Sequence, residues 1–329
     1  MADPLGRWAA QHAPDVLARA EAEAVKVLRD ALVRAAIGDR AQSSEPAPTP
    51  PKPASRRSSG ATALWVYGVL AADADLPRSL TGVDPGHPVE AVSAGGLVAL
   101  VSRVPLDEFG AEPLRENLND LPWLERVARA HESVLDQAVQ AGTCVPLRLC
   151  TIYESDESLR AMLEREAESF ADALGHLAGR EEWSVKLLVD ADGLTQEARA
   201  QCEDIDGLEQ GTEEQSEGGA YMLRRRVERR VRERAAQLAT EVAESVHARL
   251  DAHAVDAVTR PGQNPELSGH EGRMLLNGAY LVEAERVEGL VALVAELEER
   301  HRELGVRVQL SGPWPPYNFL PGGGTTALA

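Results

Sequence analysis

The first apolar pattern along the chain has the period of a helix. Apolar residues recur at intervals of four, at Val16, Ala20, Ala24, Leu28 and Leu32. This spacing places them on one stripe and predicts an amphipathic helix over residues 4–37. Residues 39–61 are rich in Ser, Pro, Ala, Lys and Arg, which indicates a disordered linker. We therefore predict that residues 1–38 form an appended helix, whose stripe packs back on the protein, pairs with a copy of itself or binds a partner.

A first α+β domain is predicted over residues 62–143. β-Branched and aromatic runs predict strands at 64–70, 89–92 and 97–104, and an apolar stripe predicts a helix at 123–141. Two of the strands are joined by Ser93-Ala94-Gly95-Gly96, which is typical of a tight turn. His131 lies on the apolar face of the helix, so we interpret it as a hydrogen-bonded core residue.

The second domain is predicted over residues 144–320. Its expected elements are strands at 145–153, 183–189, 274–282 and 306–310 and helices at 156–178 and 287–304. The order is β-α-β twice, which is the ferredoxin-like pattern. Residues 191–270 are expected to be a helical insertion, with an acidic loop and a long projecting helix at about 219–255. The fold class is therefore α+β with two domains, followed by a flexible tail at 321–329.

The segment Gly312–Phe319, with the sequence GPWPPYNF, is unusual in the chain. Its three prolines exclude the interior of a helix or of a central strand, yet it carries three of the thirteen aromatic residues. A strand thus ends in a stiff, polyproline-like segment that presents rings at fixed positions. The segment either caps the core of its own domain or contacts a partner. The candidate partner-binding residues are Trp314, Pro315, Pro316, Tyr317 and Phe319.

Composition narrows the classes of partner. The formal net charge of −19 argues against generic binding to nucleic acid or to an anionic membrane surface. The three cysteines are too few for a disulfide framework and suit a reducing cytoplasm. No stretch approaches the roughly 20 apolar residues of a membrane helix. We expect a cytoplasmic protein that binds neither nucleic acid nor membrane.

No motif for catalysis, cofactor binding or metal binding emerges. His131-Glu132 has no second histidine four residues on, and His247 and His253 lie on different faces of a helix. Cys144 and Cys150 lack the spacing of a zinc or redox pair. Nucleophile-elbow, dinucleotide-binding and P-loop motifs are missing from the sequence. We predict a protein that is not an enzyme and that has no cofactor.

An arginine cluster lies at residues 224–234. It suggests either binding of RNA or phosphate, or a solvated helix that pairs with the acidic loop just upstream. The interrupting Glu228 and Glu233 favour the second interpretation.

Seven segments, in order, resemble motifs of the gas vesicle proteins of the GvpL/GvpF family. They are Leu64–Val69, Gly96–Ser102, His131 with Val134 and Leu135, Val145–Thr151, Glu182–Lys186, Asn277–Val282 and Gly312–Phe319. The resemblance covers residues 62–319, and the order of the seven motifs makes it specific. Leu149-Cys150 stands where Phe-Gly is usual, so the end of that strand is expected to differ in shape. The helix at 4–37 and its linker lie outside the family core.

The resemblance implies a non-enzymatic accessory protein, a minor structural component or assembly factor located at the gas vesicle. Its implied partners are the small, very apolar shell protein and other gas vesicle accessory proteins. A strongly acidic protein could cover apolar shell surface and keep the complex dispersed. The alternative is a ferredoxin-like ligand-binding domain or enzyme with a small molecule in the interdomain cleft. Its only polar candidates are Arg148, Thr151 and Lys186.

Overall fold

The computed structural model describes residues 60–76, 80–201, 217–260 and 273–320 of the chain. The predicted helix at 4–37, nearly all of its linker, most of the acidic loop and the tail at 321–329 lie outside the described residues. The described chain forms two compact units, which divide between Ala178 and Gly179. Both units contain helices and antiparallel strands, which confirms the α+β fold class.

Unit 1 is built on one antiparallel sheet. Its strands are β1 (Thr62–Ala71), β2 (Val89–Ala94), β3 (Leu97–Pro105), β4 (Cys144–Pro146) and β5 (Ile152–Tyr153). The order is β2-β3-β1-β4, and β5 also pairs with β1. β1 is paired on both sides, and its eight central residues are all buried. The β2–β3 turn is confirmed, because Ala94 pairs with Leu97 and the two glycines between them have positive φ, as a two-residue hairpin turn requires.

Within the described residues of unit 1, the helices all lie after β3. They are α1 (Leu106–Phe109), α2 (Ala111–Asn117), α3 (Leu121–Ala141), α4 (Asp156–Arg165) and α5 (Ala167–Leu177). The predicted stripe of α3 is confirmed, with buried Leu124, Val127, Val134 and Leu135. The helix predicted at 156–178 is two helices. The break falls at Glu166, whose φ of −98° and ψ of 12° leave the helical region.

The predicted domain boundary at 143/144 is wrong. Cys144 and Pro146 of β4 pair with Leu70 and Gly68 of β1, so this strand completes the first sheet. The helices α4 and α5 follow it into unit 1, and the boundary lies after Ala178. The single strand predicted at 145–153 is also interrupted by a turn, since Thr151 donates its backbone N–H to the carbonyl of Arg148.

The described part of unit 2 contains a second antiparallel sheet and three α-helices. Its elements are β6 (Arg180–Val189), α6 (Ala191–Gln201), α7 (Glu217–His253), β7 (Asp256–Arg260), β8 (Arg273–Glu283), α8 (Val287–Arg300) and β9 (Val306–Trp314), and a 3-10 turn at Tyr317–Phe319 follows. The strand order is β7-β8-β6-β9. With one helical crossover after β6 and another after β8, this is the ferredoxin-like arrangement.

The ferredoxin-like pattern was thus predicted with the wrong elements. Its first strand is β6 rather than residues 145–153. Its first crossover runs through α6 and α7, so residues 191–270 are not an insertion into a complete fold. The second strand, β7, lies within the residues that the sequence analysis assigned to the helical insertion, and it was not predicted. This strand is short and lies at the sheet edge, and its sequence, DAVTR, has two apolar residues among its five.

The core of unit 2 lies between the sheet and its helices. From β6 and β8 it receives Val185, Leu187, Val189, Leu276, Tyr280 and Val282, and from α7 and α8 it receives Val246, Leu250, Leu290, Val294 and Leu297. The N-terminal half of α7 buries Val227 and Val231 in the same cluster as Leu194 and Ala198 of α6. Helix α6 therefore covers the part of α7 that is farthest from β7.

Candidate functional site

The segment Gly312–Phe319 begins within β9 and continues beyond the end of that strand at Trp314. Its Trp314 pairs with Glu182 of β6, so two of the motifs quoted above meet in space. Gly312 has a φ of 147°, and a Cβ there would lie 3.0 Å from both the carbonyl oxygen of Glu182 and the ring of Trp183. The backbone of β9 thus approaches β6 so closely that any side chain at position 312 would have to displace its neighbours, at a φ that glycine favours.

A buried polar network holds the end of the segment. Asn318 donates its backbone N–H to Glu182 Oε2 at 3.0 Å, and its side-chain amide donates to Glu182 Oε1. The guanidinium of Arg260, on β7, donates to Asn318 Oδ1. Glu182 is only 1% exposed. Because a buried carboxylate requires donors to offset its desolvation, the network fixes the segment across β6 and β7.

The five candidate partner-binding residues divide into two groups. Pro315, Pro316 and Phe319 are buried, which supports the capping interpretation for these three. Trp314 and Tyr317 are half-buried and retain exposed surface. The Trp314 indole donates to Ser311 Oγ at 3.3 Å, which restricts its orientation. Partner binding through Trp314 and Tyr317 stays a prediction.

The sequence analysis missed the network around Glu182. Glu182 belongs to a quoted motif, but its partner Asn318 lies 136 positions away in the chain. The third member, Arg260, lies on β7, the strand that the sequence analysis did not predict. A carboxylate at a strand position followed by Trp183 gives a weak signal of burial, and nothing in the sequence points to its two partners.

His131 is a hydrogen-bonded core residue, as predicted. The Trp65 indole donates to His131 Nδ1 at 3.0 Å, and His131 Nε2 lies 3.1 Å from the carbonyl oxygen of Leu147. An indole N–H is only a donor, so Nδ1 is the acceptor and the imidazole proton is on Nε2. Burial lowers the pKa of His131 to about 4, which keeps the ring neutral. The residue ties β1 and α3 to the turn after β4.

The turn at residues 147–151 contains the departure from the family motif. Cys150 has a φ of 67°, the only positive φ of a non-glycine residue in the described ranges. The chain here has the backbone conformation that glycine favours, with a cysteine in its place. The neighbouring Thr151 donates its hydroxyl to the carbonyl of Arg148 at 2.7 Å and so stabilises the turn.

The three polar candidates for a ligand site lie on different units. Arg148 and Thr151 belong to the turn in unit 1, whereas Lys186 belongs to β6 of unit 2. Across residues 60–76, 80–201, 217–260 and 273–320, no group of three His, Cys, Asp or Glu side chains is placed to hold a metal ion. In the same part of the chain, no helix has the length and apolar character needed to cross a membrane.

The chain is thus a two-unit α+β protein. Its second unit is ferredoxin-like and ends in an aromatic and proline-rich segment that extends the last strand. The model of the family "Gas vesicle synthesis protein GvpL/GvpF" matches residues 63–321 of the chain. The match spans both units and includes the Gly312–Phe319 segment. The chain belongs to the GvpL/GvpF family of gas vesicle proteins.

Individual relatives agree with this assignment. The chain is 36% identical over 257 residues to gas vesicle protein L of Streptomyces sp. (strain CB03234), which covers 78% of the chain and 91% of that protein. It is 31% identical over 258 residues to gas vesicle protein F of the same strain, with 78% and 98% covered. The crystal structure of gas vesicle protein GvpF from Anabaena sp. PCC7120 superimposes with a TM-score of 0.58 at 18% identity, over 81% of this chain and 99% of that one. That likeness shows the fold.

Proposed function

We propose that this protein is a non-enzymatic accessory factor of gas vesicle assembly that binds the small hydrophobic shell protein. It acts in the cytoplasm, at the growing gas vesicle. The observation that carries the proposal is the family match over residues 63–321, which includes both units. Other gas vesicle accessory proteins are further partners under this proposal.

The surface of unit 1 offers apolar side chains for such a contact. Leu121 is 71% exposed at the start of α3, and Leu118 is exposed in the turn before it. Leu106, at the start of α1, is exposed as well. Exposed leucines at consecutive helix ends suit an apolar partner better than they suit water. A protein of net charge −19 that covers apolar shell surface also keeps the complex dispersed.

The edge strand β9 and the half-buried rings that follow it are a second candidate contact. β9 ends the sheet order, and it pairs with β6 on one side. An edge strand can accept a strand of another chain, and Trp314 and Tyr317 lie where such a strand would end.

Capture of the co-expressed shell protein on the purified full chain tests the proposal. We expect the full chain to retain the shell protein, and a variant without residues 1–60 to retain it if the contact lies in the two units. The double variant Leu118→Ser/Leu121→Ser tests the unit 1 surface. Val291→Ser, at an exposed apolar position of α8, is the matched control. Failure of the full chain to retain the shell protein would refute the proposed function.

A further inference from the structure

The outer face of α7 in its N-terminal half has an unusual composition. Two large apolar side chains are exposed there, Tyr221 at 57% and Met222 at 68%. They are followed by the arginine cluster at 224–234, which holds seven of the chain's 34 lysines and arginines. Its arginines at 224, 225, 226, 229, 230 and 232 are exposed. The helix therefore presents apolar and positively charged surface on a protein that is otherwise strongly acidic.

Helical spacing arranges part of this surface into one stripe. Met222, Arg225, Arg229 and Arg232 are separated by three, four and three residues, so they lie on one face. The opposite face carries Val227 and Val231, which are buried in the same cluster as residues of α6. The guanidinium of Arg225 lies over the ring of Tyr221 at 5.7 Å from its centroid. We name the five residues Tyr221, Met222, Arg225, Arg229 and Arg232 the arginine stripe.

Another arginine of the same helix, Arg234, has a structural role that the arginine stripe does not share. Arg234 donates to Gln201 of α6 at 2.7 Å and to Glu241 at 2.8 Å, and it is half-buried. It fastens α6 to α7 through side chains of both helices. In the arginine stripe, Arg225 and Arg232 make their contacts within α7. Arg225 stacks on the ring of Tyr221, and Arg232 donates to the backbone carbonyl of Glu228 at 3.2 Å. These contacts orient guanidinium groups without joining α7 to another helix.

We propose that the arginine stripe is a docking surface for an acidic helix of a partner protein. Residues 221–232 extend over about 16 Å at 1.5 Å per residue, so three arginines at helical spacing match carboxylates at the same spacing on a helix lying alongside. Tyr, Met and Arg are the residue types enriched in protein interfaces, and Tyr221 and Met222 supply an apolar end to the charged row. The proposed function leaves open the chemistry of any partner other than the apolar shell protein, and this surface states that chemistry for one such partner.

The same observations disfavour nucleic acid as the occupant. Glu228 and Glu233 are exposed between the arginines and would face a phosphate backbone. The net charge of −19 opposes approach of a polyanion over longer distances. An acidic helix makes a smaller and more local contact, and its own lysines or arginines can face the two glutamates.

Fluorescence anisotropy with a labelled helical peptide tests the docking surface on the full chain. The probe carries three glutamates separated by four and three residues, to match Arg225, Arg229 and Arg232, and a leucine three residues from the end glutamate, to match Met222. We expect it to bind, and Arg225→Gln/Arg229→Gln/Arg232→Gln to weaken binding at least about tenfold at physiological salt. Tyr221→Ala/Met222→Ala should weaken it about fivefold even at raised salt, where charge is screened.

The control variant removes the same charge elsewhere. Arg115, Arg129 and Arg165 of unit 1 are exposed partners of single glutamates, and their triple Gln variant should bind the peptide within about twofold of the native chain. Circular dichroism checks that all variants are folded. No peptide binding, equal binding by the two triple variants, or tighter binding of a duplex RNA of similar length would overturn the proposal. Capture of the shell protein should be unchanged in the arginine triple variant, which separates this test from that of the proposed function.

Discussion

Replacing Cys150 by glycine should stabilise unit 1. The residue has a φ of 67°, where the Cβ of an ordinary residue crowds the backbone at a cost of about 1–2 kcal/mol. Glycine removes this cost, but it also raises the conformational entropy of the unfolded chain, which lowers the free energy of unfolding by about 0.5–1 kcal/mol. The net gain expected from the backbone is therefore about 0.5–1 kcal/mol. The resemblance to the family motif, in which glycine is usual at this position, agrees with that sign.

The comparison that isolates the backbone effect is with Cys150→Ala. Both variants lose the same thiol and its contacts, whereas only the alanine variant keeps a Cβ at positive φ. The difference between them thus reports strain minus unfolded-state entropy, whatever the thiol contributes. It should favour glycine by about 0.5–1 kcal/mol, or about 2 °C in the melting temperature for a unit of this size.

Hydrogen exchange is the appropriate assay, because a chain with two units is not expected to unfold in one step. Protection of the amides of β1 reports the opening of unit 1 alone, since β1 pairs with β3, β4 and β5. Amides of β6 and β8 in unit 2 are the internal control and should not change. If β1 were less protected in Cys150→Gly than in Cys150→Ala, the strain argument would be refuted.

Three further changes test the buried contacts. Gly312→Ala places a Cβ against the backbone and ring that limit β9, so it should destabilise unit 2 by roughly 2 kcal/mol in denaturant titrations; Gly175→Ala, with open space on α5, should instead stabilise unit 1 slightly. Asn318→Ala removes a donor from the buried carboxylate of Glu182 and should cost about 1–3 kcal/mol, and unchanged β6 protection would contradict this. His131 has its folded pKa lowered to about 4 from 6.5, so its contribution, about 3 kcal/mol at most, is present above pH 6.5 and is lost as the pH falls towards 4. His131→Gln should flatten the pH dependence of unit 1 stability over that range.

Local patterns predicted the elements better than their partners. The two-glycine turn, the stripe of α3 and the core position of His131 follow from spacing within a few residues, and all three are present. The run at 145–153 reads as one strand because apolar and β-branched residues recur along its whole length. Its division into β4 and β5 results from pairing with β1, about eighty residues earlier in the chain, and no local pattern encodes that pairing.

The ferredoxin-like pattern was assigned to the wrong elements for the same reason, because local patterns do not encode which strands pair. Unit 1 ends with strands followed by helices, and unit 2 begins with a strand, so the sequence offers two possible starts for the β-α-β-β-α-β order. The correct start depends on recognising β7, whose edge position and two apolar residues give almost no periodic signal. The network at Glu182 was hidden for that reason too, since Arg260 ends β7.

Helix α7 is longer than the sheet of unit 2 on which it packs, so part of the helix is not covered by the sheet. Its 37 residues extend over about 55 Å, whereas the ten residues of β6 span about 33 Å. The sheet therefore covers at most part of the helix, and α6 covers one face of the remainder. A helix longer than its fold requires keeps a second, outward face whose residues are not selected by packing. On α7 that face holds the arginine stripe that we propose as a docking surface.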